Sequence, residues 1–222
     1  MTTSEIPQRP ARISRDEARA AKERVRLFDT ALKSLARASG WKFARGTLFR
    51  DETGWFVSAM PSLLWGRGAV VSFSTKPMGV DPIFWRIVGL AENEDQPLSF
   101  RANGAWVLRA PSEYDYVALS AVDPKLLAEA VIQYVTERLA TLGPVAPGVQ
   151  ADAIAAMNDR RKNFAALEVC LRIMDRDLVQ AAALCRDHTS DQNAGYQTGG
   201  KTFYDQAHDW IARARQNSIR LA

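Results

Sequence analysis

The sequence predicts an α+β fold: an antiparallel sheet of about five strands covered by flanking helices, followed by a C-terminal helical segment. Three observations carry that expectation. A helical apolar period runs from Ala21 to Leu35, strand-length runs separated by turn residues fill 41–109, and a helical period returns after Asp123. The connections between the short runs are too brief for crossovers, which favours antiparallel pairing.

Residues 1–13 hold Pro7 and Pro10 and no periodicity, and read as a disordered or loosely docked arm. Ser14 followed by Glu17 is a capping-box signature, a hydroxyl and a carboxylate able to satisfy each other's free amides. Ala21, Val25, Phe28, Leu32 and Leu35 then mark one helix face, and Gly40 supplies the stop. Thr47–Arg50 and Trp55–Met60 flank Asp51-Glu52-Thr53-Gly54 as a hairpin, with Pro61 ending the second strand. Ala69–Thr75 is the third strand, Ile83–Leu90 the fourth and Leu98–Leu108 one more. Glu113-Tyr114-Asp115-Tyr116 reads as a polar loop with its tyrosine rings turned inward. Asp123-Pro124 pairs an N-cap acid with a first-turn proline and starts a helix that runs to about Ala140. The Pro- and Gly-rich stretch 141–150 is the expected linker between an α+β domain at 14–140 and a helical segment at 151–222. Within that segment Leu167, Leu171, Met174, Leu178, Ala182 and Cys185 form one stripe, 189–200 is a loop, and Thr202 opens a last helix.

Of the 222 residues 47% are hydrophobic and 24% charged, which suits a globular protein with a substantial core. No run of about eighteen uncharged apolar residues occurs, so no membrane helix is expected. The N-terminus lacks the apolar stretch of a secretory signal, and its acids disfavour a transit peptide. Two cysteines make no disulfide framework and point to a reducing, cytoplasmic setting. The net charge of +4 is uneven: residues 1–50 hold 12 Lys/Arg against 5 Asp/Glu, and the rest 17 against 20.

Chemical motifs are sparse. The soft metal ligands are Cys170, Cys185, His188 and His208. On one unbroken helix the two thiols would stand roughly 22 Å apart, and both fall on the apolar stripe, so they read as core and no metal or cofactor is expected. Cys185 with His188 is the only nearby thiol–imidazole pair and the sole basis for a small-hydrolase reading. No Gly-x-Ser-x-Gly elbow is present; Gly199-Gly200-Lys201-Thr202 precedes a helix start but lacks the preceding strand of a phosphate loop and reads as a capped helix N-terminus after a loop, and no catalytic residue is assigned.

What stands out is a set of aromatic–cation neighbours: Trp41-Lys42, Phe49-Arg50, Trp85-Arg86 and Phe100-Arg101, with Trp106 and Arg109 close by. On strands, neighbours face opposite sides, which predicts an aromatic interior and a basic exterior. The expected contact surface for a protein partner is therefore Arg50, Arg86, Arg101 and Arg109, with Tyr114 and Tyr116 nearby. The same alternation argues against base stacking, which needs aromatics and cations on one exposed face. Nucleic acid is the alternative partner, met by Arg12, Arg15, Arg19, Lys22, Arg26 and Lys33 along the first helix.

With phrases such as GWKFARGTLFRDETGWF and PLSFRANGAWV in a helix–strands–helix order, residues 20–140 resemble small bacterial α+β proteins of unknown function. Some of these accompany toxin–immunity or defence loci. The resemblance implies a non-enzymatic, immunity or defence-accessory interaction role and carries no functional residue across.

Overall fold

The computed structural model describes residues 14–64, 68–117, 123–157, 163–188 and 196–220, with side chains up to 216. The expected arm at 1–13, with Arg12, and most of the expected loop at 189–200 lie outside the described residues. The fold is α+β, with a five-stranded antiparallel sheet and, among the described residues, eight helices.

Helix α1 (Arg15–Ala38) starts as its capping box requires: Glu17 N–H donates to Ser14 Oγ at 3.2 Å, and Ser14 N–H donates to the Glu17 carboxylate at 2.8 Å. Strands β1 (Lys42–Ala44), β2 (Thr47–Glu52), β3 (Trp55–Leu64), β4 (Gly68–Pro77) and β5 (Ser112–Val117) lie side by side in chain order. Two-residue loops join the first three, Arg45-Gly46 and Thr53-Gly54, and all four residues have positive φ. That is the turn whose twist matches a hairpin, and glycine takes its second position without a Cβ clash.

Register divides the sheet into two faces. Leu48, Ala59 and Phe73 are aligned across three strands, Val57 and Val71 share their face, and all five are buried beneath α1 and α4 (Pro124–Ala140). Asp123 caps α4 by accepting from Lys125 N–H at 2.7 Å, and Trp55 Nε1 donates to Gly143 O at 2.9 Å just beyond its end.

Four expectations are corrected. The strand over Ile83–Leu90 is helix α2 (Val80–Ile87), in which Val80, Phe84, Trp85 and Ile87 are buried at helical spacing. A short apolar run fits either period, and Pro82 in the first turn is compatible with a helix start. Leu98–Leu108 is not a strand either: α3 (Ser99–Asn103) is followed by an irregular strap at 104–111. The fifth strand is instead β5, drawn from the expected polar loop, and its tyrosines face solvent, Tyr114 at 64% and Tyr116 at 52% exposure. Finally, β3 runs through Pro61 to Leu64, because β2 does not pair with that end and no ladder bond needs the missing N–H.

The helices α5 (Pro147–Ala155), α6 (Ala165–Met174), α7 (Leu178–His188) and α8 (Phe203–Arg220) pack in succession, with a two-stranded ribbon of β6 (Gln197–Thr198) and β7 (Lys201–Thr202) before α8. Helix α5 begins within the expected linker. The stripe expected over 167–185 is broken between Met174 and Leu178, where Arg176 adopts φ 64°, so the two cysteines lie on successive, packed helices. Their core takes in Val80, Phe84, Trp85 and Leu108 from before the linker, so α2 and the strap are packed into the C-terminal helices.

Candidate functional site

The outward face of the sheet carries the other half of each strand. By register Ser58 and Met60 of β3, Ser72, Ser74 and Lys76 of β4, and Ser112 and Tyr114 of β5 all point away from α1 and α4. Over one end of this face lie α3 and the strap, and between them and the strands opens a cleft of about 810 Å³. Its lining joins the hydroxyls of Thr47, Ser58, Ser72, Ser74 and Ser112 to Tyr114, Arg101, Arg109, Asn103 and Asn163. No carboxylate is among the described lining residues. A volume of this order is typical of ligand sites. The apolar notch between α1, α4 and the ends of β3 and β4, bordered by Val25, Leu63 and Leu127, is far smaller, at about 90 Å³.

The wall of the cleft is fixed from behind. Lys76 Nζ donates to Asp81 Oδ1 at 2.9 Å and to Leu108 O at 2.7 Å, with Asp81 Oδ2 also 2.8 Å away in the ion pair. Asp81, fully buried, also accepts from Leu108 N–H at 3.1 Å and from Arg101 at 3.1 Å, while Arg101 donates to Met78 O at 2.9 Å. Trp85 Nε1 donates to Trp106 O at 2.5 Å, and Tyr196 OH to Val107 O at 2.8 Å. Trp106 is held at φ 61°, a costly backbone state for a bulky residue, so the strap is strained and over-determined at once. Burial pushes the Lys76 ammonium below its ordinary pKa, and the Asp81 charge opposes that shift. The cluster therefore acts as a clamp: its charges are spent on the backbone of 104–111, which turns Arg109 toward the cleft.

Among the expected contact residues the structure brings Arg101, Arg109 and Tyr114 to one cleft and leaves the others apart. Arg101 is mostly withdrawn into the clamp, its guanidinium 5.0 Å from the Trp85 ring centroid. Arg109 is exposed and makes no ion pair among the described residues. Arg50 is on the inner face, ion-paired to Glu52 with its guanidinium 5.7 Å from the Trp41 ring, so it is not part of a basic outer face. Arg86 is exposed on α2 and held by Glu94 at 2.6 Å. The couplets Trp85-Arg86 and Phe100-Arg101 sit on helices, where alternation has no meaning. Tyr116 is on the outward face of β5 beyond the cleft lining.

Arg15, Arg19, Lys22, Arg26 and Lys33 are exposed on α1, with Arg26 bound to Glu23 at 2.8 Å and Asp29 set between Arg26 and Lys33 on the same side. Cys170 and Cys185 form no disulfide and are buried. Burial pushes the Cys185 thiol up to about 12 and the Cys170 thiol well above its ordinary value, the reverse of what a nucleophile needs. His188 stacks on Tyr204, ring centroids 4.9 Å apart. Among the described residues no three His, Cys, Asp or Glu side chains gather into a metal-binding cluster.

The outward serines, Lys76 and Asp81 were not candidates on sequence grounds. The serines had a signal, since Ser72 and Ser74 are the polar half of the alternation in AVVSFST. Asp81 had none, because its partners lie 5, 20 and 27 residues away. No protein-family model, curated protein or solved structure matches the chain.

Proposed function

We propose that the protein is a non-enzymatic interaction module, of immunity or defence-accessory type, that holds an acidic segment of a protein partner against the outward face of its sheet. The observation that carries this reading is the described lining of the cleft: three cations and six serine or threonine residues with no carboxylate among them, where Asp81 beneath cancels one of the charges. The contact set narrows to Arg109, Tyr114 and the serines around them. The compartment in this reading is cytoplasmic, supported by two buried cysteines that form no disulfide; no helix among the described residues is long and apolar enough to cross a membrane.

A photo-crosslinking phenylalanine placed at Tyr114 in the native host tests it. The expected product is one protein, joined through a segment rich in Asp and Glu and lost in Arg109→Glu. Crosslinking that yields no protein, or that ignores Arg109→Glu, overturns the reading.

A second reading, nucleic acid bound along α1, is supported by the exposed Arg15, Arg19, Lys22, Arg26 and Lys33 on that helix. Its affinity for duplex DNA or RNA must fall steeply with salt, and no binding at low salt removes it. The Glu23 and Asp29 carboxylates within the same face place it second.

A further inference from the structure

We infer that the group the cleft accepts is a phosphate ester, carried as a phosphorylated side chain on the partner's bound segment. The inference rests on the partner-binding reading above and names the chemistry of that site more narrowly. Three features of the cleft carry it.

The first is charge. Lys76, Arg101 and Arg109 line the cleft and the buried Asp81 cancels one of them, so two positive charges remain with no acid among the described lining residues to neutralise them. A carboxylate brings one negative charge, whereas a phosphate ester brings about −1.5 to −2 at neutral pH.

The second is the donor inventory. Arg109 has five N–H donors in a planar fork, and no described acceptor engages them. The Ser58 and Ser74 hydroxyls bond each other at 2.9 Å, which leaves one hydroxyl hydrogen of the pair free, and Ser72 and Ser112 stand on the neighbouring outward positions of β4 and β5. A carboxylate is satisfied by the guanidinium fork alone. The three terminal oxygens of a phosphate ester use the fork and the hydroxyls together.

The third is preorganisation. The strap that presents Arg109 is already tied down through Leu108 to Lys76 and Asp81, through Trp106 to Trp85 and through Val107 to Tyr196. A dianion entering the cleft meets donors mounted on a fixed wall, so little ordering cost is charged against binding. The opposite arrangement, a mobile arginine over an acid-lined groove, would select for cations.

The test uses the full-length protein and randomised peptides of about seven residues whose central position is phosphoserine, glutamate or serine. The extra charge and the further charged hydrogen bonds of phosphoserine predict a preference for it over glutamate of roughly tenfold or more. That preference is expected to vanish in Arg109→Gln and to shrink in the Ser72→Ala/Ser112→Ala double variant, with the melting temperature of each unchanged. Glutamate peptides binding as well as phosphoserine peptides, both weakened alike by Arg109→Gln, overturn the phosphate inference and leave the acidic-segment reading standing. Failure of all three peptide sets overturns both. Binding of inorganic phosphate or pyrophosphate alone, with every peptide set silent, also overturns the proposal, because the phosphate then belongs to a small solute.

Discussion

The inner face of the sheet buries Leu48, Val57, Ala59, Val71 and Phe73 beneath α1 and α4, whereas the outer face carries Ser58, Ser72, Ser74 and Ser112 and is crossed at one end by α3 and the strap. Apolar burial is non-directional and scales with area, so two helices cover the inner face along the strands. The outer covering is packed on its far side into the C-terminal helices and meets the sheet through point contacts: one buried carboxylate, two cations and a few backbone groups. Directional bonds pin a segment where their donors are and leave the rest of the face open. The cleft is the open remainder. The lesson is that the same strands supply a closed core on one side and a polar recess on the other, because residue alternation assigns them separately.

That contrast can be broken in four ways. Asp81→Ala strands Lys76 and Arg101 in a dry site and releases Leu108 N–H, and a loss of about 3–5 kcal/mol in urea unfolding is expected. A loss under about 1 kcal/mol would mean that the roof is held by packing after all. Leu48→Ala opens a cavity on the inner face and is expected to cost about 2–5 kcal/mol, with the peptide preference of the cleft kept. If Leu48→Ala abolished that preference at temperatures where the protein is folded, the two faces would not be independent. Tyr134→Phe removes the bond that the α4 hydroxyl donates to Asp115 of β5, and a change of about 0.5–1.5 kcal/mol is expected. Ser72→Ala, on the outward face, is expected to shift stability by no more than about 0.5 kcal/mol, which thermal melts can check. A large destabilisation there would show that the outer serines are structural rather than available.

Much of the inner half was legible before any coordinates. Ser14 with Glu17, Asp123 with Pro124 and the Thr53-Gly54 turn are local devices, complete within a few residues, and each stands where the sequence places it. The outer half was not. Phe84 and Trp85 belong to a run too short to choose between periods, and it became helix by packing on α6 and α8. Glu113 and Asp115 hid a strand because acids on an inward face look like loop until Arg138 and Tyr134 of α4 meet them. Arg101 looked outward because Asp81, its partner, lies 20 residues away in the chain.

The sequence by itself determined the α+β class, the first helix and its cap, the hairpin around Thr53-Gly54 and the helix after Asp123. These depend on neighbours within a turn or a hairpin, which sequence spacing reports directly. Only the tertiary structure decided which arginines face solvent, which residues form the fifth strand and where a cleft lies. Those outcomes depend on charges and surfaces distant in sequence, and pairing across such distances is set by the fold as a whole.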